Sequence, residues 1–117
     1  MYKHEKNPPS NYDNEQHVRD HLPIGERLTQ LAEEAAELAQ AALKLRRAYD
    51  GTNPTPVSVK EASTALLEEY ADVRLCIKVL NLPGSPVTIY DMMDRKVARW
   101  ADRLRAADTG GAARGEG

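Results

Sequence analysis

Six carboxylates fall in two short runs, Glu33-Glu34-Ala35-Ala36-Glu37 and Glu68-Glu69-Tyr70-Ala71-Asp72. At about 100° per residue, Glu33, Glu34 and Glu37 share an arc of about 100° on a helix, and Glu68, Glu69 and Asp72 do the same. A solvated acidic helix face ordinarily sets Lys or Arg three or four residues from each acid. Asp91 with Arg95, and Asp102 with Arg99 and Arg105, follow that rule, whereas the six clustered acids do not. Their neighbours at those offsets are one another: Glu33 with Glu37, Glu34 with Glu37, Glu68 with Asp72, and Glu69 with Asp72. Each like-charge pair costs about 0.2–0.5 kcal/mol, so the set calls for a cation. Hard oxygen ligands without His or Cys suit Mg²⁺, or Mn²⁺, better than Zn²⁺. Glu69 has Ala65, Leu66, Val73 and Cys76 as helical neighbours, which predicts a partly buried carboxylate.

Other site chemistries find little support. His4, His17 and His21 all lie near the N-terminus and are not read as a pair on one helix face. One cysteine, Cys76, leaves no zinc-binding Cys pair, and it reads as an inert core thiol. No Glu-x-x-His supplies the nitrogen ligands of a di-iron bundle. Gly25 stands alone and Gly110-Gly111 lies near the C-terminus, so no glycine loop cradles phosphate. No strand–turn–helix context supports a Ser–His–Asp triad.

Helices must position the acids. From about Pro23 to Tyr49, Leu28, Leu31, Ala32, Ala35, Leu38, Ala39, Ala42 and Leu45 keep helical spacing, and Asp50-Gly51 closes the run. From about Ser58 to Leu80, Ser58 with Glu61 reads as a capping box. Ala62, Leu66, Tyr70, Val73, Ile77 and Leu80 form one stripe there, and Leu67, Ala71, Leu75 and Val79 form another nearly opposite. A helix apolar on two sides needs neighbours on two sides, which predicts oligomerisation. A third helix runs from about Thr88, as its N-cap, to Ala106, and Lys96 interrupts its stripe of Ile89, Met92, Met93, Val97, Trp100, Ala101 and Leu104.

These elements divide the chain into a polar arm over residues 1–22, with room for a short helix over Asp13–Leu22, an all-α domain over 23–106, and a tail over 107–117. The tail has no large apolar side chain and is expected to be disordered. The 117 residues suit one domain. With no Phe and one Trp, the core is aliphatic, which favours helices over a β-sandwich. A net charge of −2 gives no footprint for nucleic acid. The absence of a long apolar run predicts no membrane span. The first residues lack a signal peptide's apolar core, and the single cysteine fits a reducing cytoplasm.

The two runs together, an EExxE helix followed by an ExxD helix, resemble the MazG-like all-α nucleoside triphosphate pyrophosphohydrolases over about residues 22–105. Leu31-Ala32, Leu38-Ala39-Gln40-Ala41 and Leu67-Glu68-Glu69-Tyr70-Ala71-Asp72-Val73 add to the likeness. The resemblance implies a helical bundle completed as a homodimer or homotetramer. It also implies Mg²⁺-dependent cleavage of a nucleoside triphosphate substrate between the α- and β-phosphates. By motif match, Glu34, Glu37, Glu69 and Asp72 would be metal ligands, and Glu33 an outer ligand or a base orienting water. Lys96 matches a phosphate-binding lysine, with Arg99 one turn on as a further candidate. For the base, Tyr12, His17 and His21 are the arm's candidates. Phosphoribosyl-ATP pyrophosphohydrolases and dimeric dUTPases share the acidic logic and stay open as alternatives. The former usually carry extra lysines where this chain has Thr29-Gln30, and the latter are usually longer. A non-catalytic helical interaction or regulatory bundle is the alternative from another class, and it has no use for uncompensated acids on two helices.

Overall fold

Proline and glycine punctuation separates four helices: α1 (Asn11–His21), α2 (Ile24–Asp50), α3 (Val59–Leu80) and α4 (Pro86–Gly115). The computed structural model describes residues 7–115, with side chains for 7–85 and 87–110. All regular structure among the described residues is helical, as the aliphatic composition predicts. The chain divides into two compact units, Met1–Leu82 and Pro83–Gly117. That boundary groups α1 with α2 and α3, rather than α4 with α2 and α3 as the sequence suggested.

Local chemistry sets each end. Ser10 accepts from Asp13 N at 3.1 Å while Asp13 accepts from Ser10 N at 3.1 Å, a full capping box for α1. That helix is the short element expected at Asp13–Leu22, beginning two residues earlier and ending one residue earlier, with Leu22 as its extended C-cap. Pro23 takes the N-cap position of α2, one place before the expected first turn. At its other end Gly51 adopts φ 68, the left-handed conformation in which a glycine has no Cβ to clash. Ser58 caps α3 by accepting from Glu61 N at 3.0 Å. For α4 the cap is Ser85, which accepts from Thr88 N through its backbone oxygen at 3.0 Å and its hydroxyl at 3.3 Å. Thr88 is therefore inside the helix, because the preset φ of Pro86 starts it earlier.

The expected tail is corrected over residues 107–115, which continue α4. Lack of large apolar side chains argues against packing, not against a helix, and Ala106, Ala107, Ala112 and Ala113 are strong helix formers. Residues 116–117 and 1–6, including His4, lie outside the described residues.

Helices α2 and α3 form an antiparallel hairpin, and α1 packs on α3. The least exposed side chains of α2 include Arg27, Leu31, Glu34, Leu38, Ala41, Leu45 and Ala48, spaced alternately by four and three. On α3 the corresponding row is Val59, Ala62, Leu66, Glu69, Val73, Cys76 and Leu80. Two such rows facing each other are a coiled-coil-like seam. Ala62, Cys76, Val79 and Leu80 are its buried members and neighbours.

The apolar face assigned to α2 is thus rotated in part. Leu31, Leu38 and Leu45 face the seam, while Leu28, Ala32, Ala35, Ala39 and Ala42 are exposed. A carboxylate at position 34 hides one seam position from a search for apolar residues, and the alanines draw the assigned face sideways. On α3, Val79 is buried rather than part of an outer stripe, and Tyr70 and Ile77 of the expected inner stripe are exposed. The outer stripe survives in Leu67 and Leu75, with exposures of 66% and 53%. On α4, Ile89, Met92, Met93, Val97, Trp100 and Leu104 are all exposed, and so is Lys96.

Candidate functional site

Glu34 and Glu69 sit inside the seam, on rows whose other members are apolar apart from Arg27 at the end. Arg27 Nη1 donates to Val79 O at 2.8 Å and Leu80 O at 3.3 Å, so residue 27 lies level with residue 80. Counting inward along both rows puts Glu34 level with Val73 and Glu69 level with Leu38, on adjacent layers. The two acids therefore converge. One carboxylate oxygen from each of Glu34, Glu37 and Glu69 lies within 4.8 Å of the other two. Glu34 and Glu69 are half-buried, as predicted for Glu69, while Glu37 is exposed.

The electrostatics of the group are unfavourable as it stands. Glu34 Oε1 accepts from Gln30 Nε2 at 2.9 Å. Glu34 Oε2 and Glu69 Oε2 are buried and unpartnered among the described residues. Desolvation pushes the Glu34 carboxyl above its ordinary value, and the charges of Glu37 and Asp72 push it further. The Gln30 amide opposes the shift. Cys76, one turn beyond Asp72, is buried, and its thiol is likewise pushed up by desolvation and by Glu34 and Asp72. The thiol is a buried member of the seam, and burial favours its neutral form.

The donor set fits a hard divalent cation. Oxygens on opposite sides of one Mg²⁺, at about 2.1 Å each, are about 4.2 Å apart. The 4.8 Å spread closes to that with small side-chain adjustments. A cation there would meet the two orphaned oxygens, which no donor among the described residues satisfies.

The acids open onto a cleft of about 640 Å³ between α1, α2 and α3. Glu34 and Asp72 line it, together with Asn11, Asn14 and Glu15 of α1 and Arg27 and Gln30 of α2. Val18, Leu22, Leu75, Cys76 and Val79 give it an apolar side. Two ties hold α1 over it: Lys78 Nζ lies 2.8 Å from Glu15 Oε1, and Arg27 Nε donates to Leu22 O at 2.9 Å. Sequence reasoning missed Asn11, Asn14, Glu15, Arg27, Gln30 and Lys78. For Gln30 and Arg27 the signal was present, since they lie one and two turns before Glu34 on the same face.

The remaining expected site residues fall elsewhere. Glu33, Glu68 and Asp72 are exposed beside the cluster and are not among the residues whose oxygens converge; of these, Asp72 lines the cleft. Lys96 and Arg99 share a shallow depression on α4 with Met92, Arg95 and Ala98, in the second unit. Tyr12 and His21 are exposed and do not line the cleft. His17 and His21 do share one face of α1, correcting the expectation that they would not. Their ring centroids are 3.9 Å apart, and His21 Nδ1 lies 2.8 Å from His17 O. Four residues separate the two, so any helix over this segment stacks them.

No family model, curated protein or solved structure matches this chain. No helix among the described residues is long and apolar enough to cross a membrane.

Proposed function

We propose that this chain is a Mg²⁺-dependent nucleoside triphosphate pyrophosphohydrolase, releasing pyrophosphate and a nucleoside monophosphate. The observation that carries the reading is the pair of buried, unpartnered oxygens of Glu34 and Glu69 at the centre of a coiled-coil seam. An interaction bundle gains nothing from carboxylates at those positions, where leucine would pack and cost no desolvation. The resemblance of the two acidic runs to MazG-like enzymes supports the same reading. So does the cleft beside them, since about 640 Å³ is ample for a nucleotide.

Glu34, Glu37, Glu69 and Asp72 would hold the ion, with Mn²⁺ as a substitute for Mg²⁺. A bound ion would neutralise charge between the acidic cluster and a polyanionic substrate and would acidify water. The protein's part is to converge the carboxylates, to orient water through Glu33, and to seat the nucleotide, with its phosphates, in the cleft under α1. Lys96 and Arg99 are proposed to meet phosphate. A homodimer or homotetramer in the cytoplasm completes the reading.

The test is a panel of ribo-, deoxy- and modified nucleoside triphosphates with Mg²⁺, scored for pyrophosphate. Release that stops in EDTA is expected from at least one substrate. A silent panel with folded protein rejects the enzyme, and orthophosphate alone means that a different bond is cut. Phosphoribosyl-ATP and dUTP belong in the panel, because they define the related alternatives.

A further inference from the structure

We propose that Lys78 is an anion subsite of the acidic cleft: its ammonium binds the polyphosphate of the substrate, and Glu15 occupies it until substrate arrives. The proposal deepens the pyrophosphohydrolase reading and rests on the cleft being a polyphosphate site.

Two cations line the cleft alongside Glu34 and Asp72, and they are not equivalent. The Arg27 guanidinium is committed to the carbonyls of Leu22, Val79 and Leu80, at the ends of α1 and α3. It ties helices together and has little left to offer a ligand. Lys78 has an ion pair with Glu15 at 2.8 Å. The pair is lopsided: the Lys78 side chain is 66% exposed and Glu15 only 14%. The acid is fixed in the wall formed by α1, and the ammonium sits at the rim on a flexible four-carbon stem.

A polyphosphate entering this cleft meets three carboxylates, Glu15, Glu34 and Asp72. A divalent ion on the acidic cluster would answer only the phosphates next to it. Lys78 is placed to meet another. A phosphate group offers more charge and more acceptor oxygens than a single carboxylate, so the ammonium gains by exchanging Glu15 for it. Glu15 is then a competitor, and its removal should raise affinity. Lys78 belongs to the same unit as the acids, which distinguishes it from Lys96 and Arg99.

Opposite signs test this. Inorganic tripolyphosphate is titrated calorimetrically into the full chain in Mg²⁺. Lys78→Met should weaken binding about tenfold, the effect of one charge-assisted hydrogen bond. Lys78→Arg keeps the cation and should retain most of the affinity. Glu15→Gln frees the ammonium and should tighten binding roughly threefold. Amide exchange in α1 should speed up alike in Lys78→Met and Glu15→Gln, since both break the same tie. If the pair merely anchors α1, both variants lose affinity together and the proposal is overturned. It is also overturned if Lys78→Met binds as wild type does, if Glu15→Gln shows no gain, or if wild type does not bind tripolyphosphate. Pyrophosphate release by the same proteins separates the two claims. Turnover with unchanged affinity in Lys78→Met removes the subsite and keeps the enzyme. Opposite signs without turnover remove the enzyme and keep the subsite.

Discussion

Glu34 of α2 and Glu69 of α3 meet across the hairpin with carboxylate oxygens within 4.8 Å, each also holding a buried Oε2 that no donor reaches among the described residues. Glu34 weakens the fold in the absence of a cation, because burial in the seam and the charges of Glu37 and Asp72 act on it in the same direction.

Glu69→Gln should therefore melt at or above wild type in EDTA, by up to a few degrees. The amide removes a charge and brings a donor to the orphaned Glu34 oxygen, for about 0.5–1.5 kcal/mol. It should gain little from Mg²⁺ and lose turnover. Thermal melts of both proteins in EDTA, in Mg²⁺ and in NaCl of equal ionic strength check this. Equal gains from Mg²⁺ in the two proteins would remove Glu69 from the proposed metal site.

The Glu34 carboxyl, raised by desolvation and by Glu37 and Asp72, gives a pH signature. With a folded value above the unfolded one, the protonated form favours the fold. That contribution is complete below the ordinary value of 4.5 and is lost as pH rises through the higher folded value. In EDTA, the stability of Glu34→Gln relative to wild type should accordingly increase with pH across that window. Urea unfolding of both proteins between pH 4 and pH 7 measures it, and a flat difference would mean that Glu34 ionises without cost.

Arg27→Met should destabilise the Met1–Leu82 unit by about 2–4 kcal/mol, because it strands the carbonyls of Leu22, Val79 and Leu80 at two helix ends. Arg27→Lys should recover only part of this, since one ammonium cannot span all three acceptors with the planar fork's geometry. Urea midpoints of the three proteins decide. A loss below about 0.5 kcal/mol in Arg27→Met would show that water serves those carbonyls equally well.

Leu67 and Leu75 on the outer face of α3 remain exposed, as do Leu28 and the alanines Ala32, Ala35, Ala39 and Ala42 on α2. Apolar surface of this extent ordinarily finds a partner. Sedimentation at micromolar concentration should show a species larger than the 13.0 kDa chain, and Leu67→Asp should shift it toward the monomer. A 13.0 kDa species alone in wild type would overturn the dimer or tetramer expectation.

The helical class and most helix ends were legible in the chain itself. Ser58, Gly51 and the Pro83-Gly84-Ser85-Pro86 turn act on their immediate neighbours, so their effects follow from sequence distance alone. The acidic runs were legible for a related reason: the absence of cations three or four residues away is a local property of each helix. Which face of α2 turns inward was not, because periodicity finds apolar residues, and Glu34 occupies an inward position only by virtue of what lies across from it. Antiparallel pairing of α2 and α3 brought Glu34 and Glu69 together from 35 residues apart and joined Arg27 to Leu80, while the packing of α1 on α3 joined Lys78 to Glu15. The sequence determined the charges to be reconciled. Only the tertiary structure decided that they lie half-buried beside a cleft roofed by α1, since desolvation depends on neighbours that a single helix does not contain.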